Sequence, residues 1–157
     1  MPDREIGTVI AIDYGIKRIG LACGDVAVGI THPLVTIRES NKKAKLRALE
    51  KISQEWQPIF WVMGVPFYSD GSKNELTSVC LKFASDLSKQ LGLSVHLVNE
   101  AYTSCYASSL LQESSLSLPK HQAVLDQVSA QAILQAFFSA GSYDCIHPPK
   151  ACTLFAD

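Results

Sequence analysis

The sequence predicts an α/β fold in which one mixed sheet of five strands is covered by helices. Three short apolar or β-branched runs, separated by turn residues, open the chain, as an antiparallel meander requires. From about residue 46 onward, apolar residues at helical period alternate with short apolar runs, the order of helices and strands laid in turn on one sheet. The chain has 157 residues, 47% of them hydrophobic and 18% charged, which suits one folded unit with a substantial core and leaves too little for two. A single domain over 1–157 is therefore expected, with its core at about 7–140 and a C-terminal tail at 141–157.

Residues 8–13 and 19–23 form the first two strands, and Tyr14-Gly15-Ile16-Lys17-Arg18 between them suits a hairpin turn. A third strand lies around Leu34 to Ile37. Leu46, Leu49, Ile52 and Trp56 then recur at helical spacing until Pro58 stops the helix. Ile59 to Val65 is a continuous apolar run, as a strand covered on both faces should be. Leu76, Val79, Cys80, Phe83, Ala84 and Leu87 follow the i, i+3, i+4, i+7 pattern of an amphipathic helix. Val95 to Val98 is the fifth strand and ends at Asn99-Glu100. A helix is expected over 103–112, and a long, largely apolar and therefore buried helix over 121–140.

Charge and cysteine usage narrow the function classes. The net charge of −1 argues against indiscriminate polyanion binding. Between Arg38 and Lys51 six basic residues stand against two acidic ones, which reads as the solvated face of a helix, with a phosphate-contacting patch as the alternative. The five cysteines are scattered with no C-x-x-C pair, so neither a disulfide framework nor a paired-thiolate zinc site is suggested, and Cys145, His147 and Cys152 fit no common zinc spacing. Apolar stretches are too short for a membrane span and residues 3–5 are polar, so a cytoplasmic protein without a membrane partner is expected.

Three acidic residues stand where packing alone would not put them. Asp13 closes the first strand, Glu100 closes a central strand, and Asp126 interrupts the apolar helix VLDQVSAQAILQAFF. Strand ends at one edge of an α/β sheet converge, so Asp13 and Glu100 are candidate neighbours. Asp126 shares a helix stripe with Ala130, Ile133 and Phe137 and is expected to point inward. Each also has a local reading: an Asx turn for Asp13, a helix cap for Glu100, and pairing with a basic side chain for Asp126. Burying unpaired charge costs several kcal/mol, by order of magnitude, so a cluster of the three calls for a cation. Hard oxygen ligands favour Mg²⁺ or Mn²⁺.

Four stretches, I-D-Y-G-I-K-R-I-G-L-A from Ile12, G-V-P-F-Y-S-D-G at 64–71, N-E-A-Y-T-S at 99–104 and L-D-Q-V-S-A-Q-A-I-L-Q at 125–135, resemble in order and spacing the YqgF family. These are bacterial pre-16S ribosomal RNA nucleases related to RuvC-type Holliday-junction resolvases, with a ribonuclease-H-like fold. The resemblance covers about residues 7–140. It implies that Asp13, Glu100 and Asp126 are the catalytic and metal-binding acids of a two-metal phosphodiesterase using Mg²⁺ or Mn²⁺. It further implies that Lys17 and Arg18 meet substrate phosphates, that Asp70 and Gly71 shape the substrate groove, and that Lys120 adds to the phosphate grip. The implied partner is nucleic acid, either precursor ribosomal RNA whose 5′ end is processed or a DNA junction, with the chain a monomer or a homodimer. One departure matters: the family usually reads Asp-Glu-Arg where this chain has Asn99-Glu100-Ala101, so an arginine beside the site is missing.

Two rival readings use the same residues. Asp-x-Gly before a hairpin also opens actin-like and sugar-kinase ATP-binding domains, but those clamp nucleotide between two such units and this chain supplies one. A non-catalytic ribosome-maturation or transcription factor would fit the missing arginine, yet a pure phosphate-binding surface would gain by losing the three carboxylates that this chain keeps.

Overall fold

In the computed structural model, residues 7–100 and 118–149 are described. Strands β1 (Thr8–Tyr14), β2 (Ile19–Asp25) and β3 (Thr31–Ile37) form the opening meander. Helix α1 (Lys42–Trp56), strand β4 (Phe60–Val65), helix α2 (Glu75–Leu91), strand β5 (Val95–Asn99), helix α3 (Leu118–Ala140) and strand β6 (Asp144–Ile146) follow. The sheet is ordered β3-β2-β1-β4-β5-β6, with β1, β4 and β5 parallel to one another and the remaining pairs antiparallel.

This mixed α/β sheet matches the expected class, with six strands where five were expected. The sixth, β6, lies in the segment read as a tail; three residues are too few to show a period in the sequence, and β6 exists because it pairs with the edge of β5. β3 begins at Thr31, ahead of Leu34. Its alternation is hidden by Pro33 and by a register shift against Leu21 and Ala22, both of which an edge strand tolerates. The helix expected over 103–112 lies outside the described residues. Among the described residues no helix is long and apolar enough to cross a membrane.

The helix ends follow local chemistry. Asn41 caps α1 by accepting from the Ala44 amide at 3.1 Å, and the chain leaves through Gln57 at φ 47° just before Pro58. Asn74 and Thr77 exchange side-chain and backbone bonds as a capping box at the start of α2.

The two faces of the sheet bury different residues. Ile10 and Ile12 of β1 pack under α1 and α2 with Leu49, Met63, Phe83 and Leu87. Val9 and Ala11 face the other way, toward Ile133 and Leu134 of α3. The period of two along β1 therefore sends Asp13 to the α3 face and Tyr14 to the α1/α2 face, where its ring lies 4.7 Å from Phe83. Helix α3 can settle on the sheet because glycines lie beneath it. A Cβ on Gly20 would stand 2.0 Å from the backbone oxygen of Asp126, and one on Gly64 would stand 2.4 Å from Cδ1 of Ile133.

These contacts set an order of costs. In Gly20→Ala the added methyl meets the Asp126 backbone, so α3 must lift, and overpacking of this kind costs about 1–3 kcal/mol. In Gly64→Ala the obstacle is a rotatable Ile133 side chain, so a smaller loss is expected. Urea unfolding of the two variants checks the ranking, and equal midpoints would remove the backbone approach at Gly20 as a constraint.

Candidate active site at the edge of the sheet

Because β1, β4 and β5 run parallel, their C-terminal ends share one edge, and the hairpin from β1 brings the start of β2 there too. Asp13 is the last residue but one of β1 and pairs across the sheet with Gly20. Glu100 directly follows β5, with its Cγ 3.6 Å from the Cβ position of Gly64 on the α3 side. Asp126 comes down from α3 onto Gly20.

The three carboxyl groups meet as like charges and are accommodated in two different ways. Burial, a hydrogen bond to Glu100 and the charges of Glu100 and Asp126 push the Asp13 carboxyl from its ordinary 3.8 up to about 9. A hydrogen bond from Ser129 of α3 acts in the opposite sense. Asp13 thus keeps its proton at neutral pH and donates it in the hydrogen bond to Glu100. Asp126 instead takes a cation. Its Oδ2 accepts from Nε of Arg18 at 2.8 Å, and its Oδ1 accepts from Nε2 of Gln122 at 3.2 Å. The pair is partly shielded, with Arg18 33% and Asp126 13% exposed.

Of the two readings of Asp126, pairing with a basic side chain is thus present in the structure. Arg18, expected to meet phosphates, is held by Asp126 across 108 positions of sequence, a contact no local pattern reveals. Among the described residues no group of three His, Cys, Asp or Glu side chains is spaced to hold a metal ion. The orientation of Asp126 toward Arg18 and Gln122 is consistent with that.

A cavity of about 380 Å³ opens at this edge, lined by Asp13, Asp126, the 15–18 turn and Leu76. Lys17 is exposed on its wall. Asp70 and Gly71 belong to the loop leaving β4 from the same edge but do not line this cavity. Asp70 is exposed and accepts from the Ser72 amide at 2.8 Å and the Ser72 hydroxyl at 2.6 Å, which holds its carboxyl below the usual range, while Gly71 sits at φ 89°. These bonds close the loop locally. Lys120 lies in the first turn of α3, and its side chain, like Ala101 and the residues after it, falls outside the described residues. A larger cavity, about 550 Å³, lies at the far end of α3 against Val98, Ala132, Ala136 and Tyr143, and holds none of the three acids.

Lys45 was not among the residues the sequence singled out. The basic run around it reads as solvated, yet Lys45 is 2% exposed. Its ammonium donates to the Gly15 carbonyl at 3.0 Å and to the Tyr14 hydroxyl at 3.2 Å, and lies 4.5 Å from the Tyr14 ring centre. It ties helix α1 to the turn that walls the cavity. The available signal was spacing: Lys45 precedes Leu49 by four and Ile52 by seven, on the apolar stripe of α1.

Comparison with known proteins agrees with this architecture. A protein from Neisseria meningitidis serogroup B is 43% identical over 141 residues, covering 90% of this chain and 93% of the relative. One from Thiobacillus denitrificans is 44% identical over 134 residues, covering 85% and 92%. Both carry the provisional name pre-16S rRNA nuclease. Among solved structures, Thermus thermophilus RuvC in complex with a Holliday junction substrate superposes with TM-score 0.54 at 15% identity, covering 86% of this chain and 95% of that one. The large terminase nuclease of phage G20c gives 0.51 at 15% identity, covering 87% and 83%. Both share the fold. The model of the RuvX family, described as Holliday junction resolvase, matches residues 7–140, and with relatives above 40% identity over most of its length the chain belongs to that family.

Proposed function

We propose that the protein is a metal-dependent nuclease that hydrolyses phosphodiester bonds and processes the 5′ end of precursor 16S ribosomal RNA. The observation that carries this reading is the carboxyl pair Asp13 and Glu100, joined by a hydrogen bond at the sheet edge and repelled further by Asp126. Crowded carboxyls with perturbed titration at a cavity are concentrated at functional sites. The name given to the relatives supports the choice of RNA. The family description and the junction-bound RuvC of the same fold favour a second substrate, a four-way DNA junction.

The donor set fits a hard divalent cation. Asp13 and Glu100 offer carboxylate oxygens already side by side, and a cation would relieve the repulsion that a shared proton now relieves. Asp13, Glu100 and Asp126 would hold Mg²⁺ or Mn²⁺. Bound there, such ions supply charge neutralisation at the phosphate and acidity toward water. The chain's own residues position the strand. Lys17 offers an exposed ammonium to phosphate oxygens at the cavity wall. Arg18 can exchange Asp126 for a substrate phosphate, which frees that carboxylate as the third oxygen ligand. Lys45, by fixing Tyr14 and Gly15, keeps the turn that carries both cations in place.

Purified protein is expected to cut single-stranded or loop-containing RNA with Mg²⁺ or Mn²⁺ and not with chelator. Asp13→Asn is expected to lower the rate by about 100-fold or more, since outer-shell partners of metal ligands alone cost about 10- to 100-fold. Parent-like cutting by this variant would sink the reading. A four-way DNA junction in the same assay separates the two substrates, because faster cutting of the junction would favour the second.

The shared proton has a consequence in the metal-free protein. The unfolded Asp13 titrates near 3.8 and the folded one near 9, so between these values the folded chain binds more protons. The contribution of this group to stability is then fully present below about pH 4 and is lost as pH rises toward 9. Asp13→Asn removes this slope. In urea unfolding with chelator, its midpoint is expected to gain on the parent between pH 5 and pH 8, and added Mg²⁺ at pH 8 is expected to raise the parent's midpoint more than the variant's. Parallel curves for the two proteins would remove the shared proton.

A further inference from the structure

We propose that a lysine-lined groove between α1 and α2 is a track for the nucleic-acid strand flanking the scissile site, running round the Tyr14 corner from the carboxylate cavity. This rests on the nuclease reading and adds a second surface to it. Three hollows adjoin. The carboxylate cavity shares Tyr14 with one of about 240 Å³ lined by Lys42, Val79, Lys82 and Phe83. That one shares Lys42 with a third, about 520 Å³, lined by Lys42, Lys43, Leu46, Asp86, Lys89 and Gln90.

The charge along this path is unlike the rest of the molecule. The chain as a whole carries 14 basic and 15 acidic residues, yet the two hollows beyond Tyr14 gather Lys42, Lys43, Lys82 and Lys89 against Asp86 alone. Asp86 is ion-paired with Lys42, which leaves three ammonium groups in excess. Lys82, Asp86 and Lys89 fall at i, i+4 and i+7, so one face of α2 looks into the groove while the start of α1 supplies the opposite wall. Val79, 44% exposed, gives the path an apolar spot suited to a base or sugar. Repeated single positive charges with one apolar contact suit a single strand held by its phosphates. Of the two readings of the basic run at 38–51, the phosphate-contacting one then holds for Lys42 and Lys43, and the solvated one for Arg38, Arg47 and Lys51.

Fluorescence anisotropy in chelator, where no cutting occurs, tests the track apart from catalysis. The probes are a labelled single-stranded RNA of about 16 nucleotides and one of about 4, spanning the range of strand lengths held per site by single-strand binders. The triple variant Lys43→Glu/Lys82→Glu/Lys89→Glu changes only exposed side chains. It is expected to bind the long strand about tenfold or more weakly, with the slope of log affinity against log salt lowered by about two, at roughly 0.7 per phosphate. The short strand, which meets fewer of these lysines at once, should bind the parent more weakly and lose less in the variant. The charge-matched control Arg38→Glu/Arg47→Glu/Lys51→Glu, also exposed, should leave the long strand within about threefold. Unchanged affinity and slope in the first variant would overturn the track whether or not the protein cuts RNA, as would equal losses in both variants, which would mark a general field. Competition by polyglutamate as strong as by RNA would assign the groove to an acidic protein and overturn it likewise.

Discussion

The candidate site depends on one close approach, that of the α3 backbone at Asp126 to Gly20 of β2. Asp13 pairs across the sheet with Gly20, so whatever lies on Gly20 lies beside Asp13. Any side chain at Gly20 would occupy the position of the Asp126 main chain, and the helix that brings the third carboxylate would be held off the sheet. Gly64 has the same role one layer along, admitting Ile133 where Glu100 also approaches. Two missing side chains therefore determine how near three acids stand.

Crowding of this degree creates an electrostatic debt that the free protein settles asymmetrically. Asp13 keeps its proton in a hydrogen bond to Glu100, whereas Asp126 takes Arg18. The difference follows from reach: Arg18 lies in the turn after β1 and extends over the outer side of the cluster. Arg18 is the cation held against the cluster among the described residues. Its bond to Asp126 neutralises the acid in the free protein and holds the guanidinium at the cavity wall.

Much of this was legible in the sequence where the signal was local. The β-branched run into Asp13, the apolar run before Glu100 and the inward stripe of Asp126 each sit within one element, and the parity of β1 assigns Asp13 to the α3 face. What spans elements was not legible. The Arg18–Asp126 pair joins a turn to a helix 108 residues away, and β6 exists through pairing with β5. Lys45 lies between these cases. Its place on the apolar stripe of α1 was visible, but the surrounding Lys42, Lys43 and Arg47 gave the segment the look of a solvated face. Only the hydroxyl and carbonyl that Tyr14 and Gly15 present to it make its burial tolerable, and those come from another strand.

The alternation of a β-strand also explains how one short segment can serve two surfaces. Asp13 and Tyr14 are consecutive, so their side chains leave opposite faces of the sheet. Asp13 meets the carboxylates under α3, while Tyr14 stands against Phe83 and Lys45 under α1 and α2 and walls the hollow that leads to Lys82. Carboxyl groups gather on one face and lysines on the other, and the sheet keeps them apart except at its edge, where the hairpin turn joins them. A strand of phosphates is attracted by the lysines, whereas on the α3 face Arg18 is engaged by Asp126, so without cations the α1/α2 face attracts it more. Divalent cations at the acids would reverse the sign on the α3 face and let the same strand pass the turn. In such an arrangement the metal-free protein can hold a strand by its flank, and the ions decide whether it is drawn to the acids.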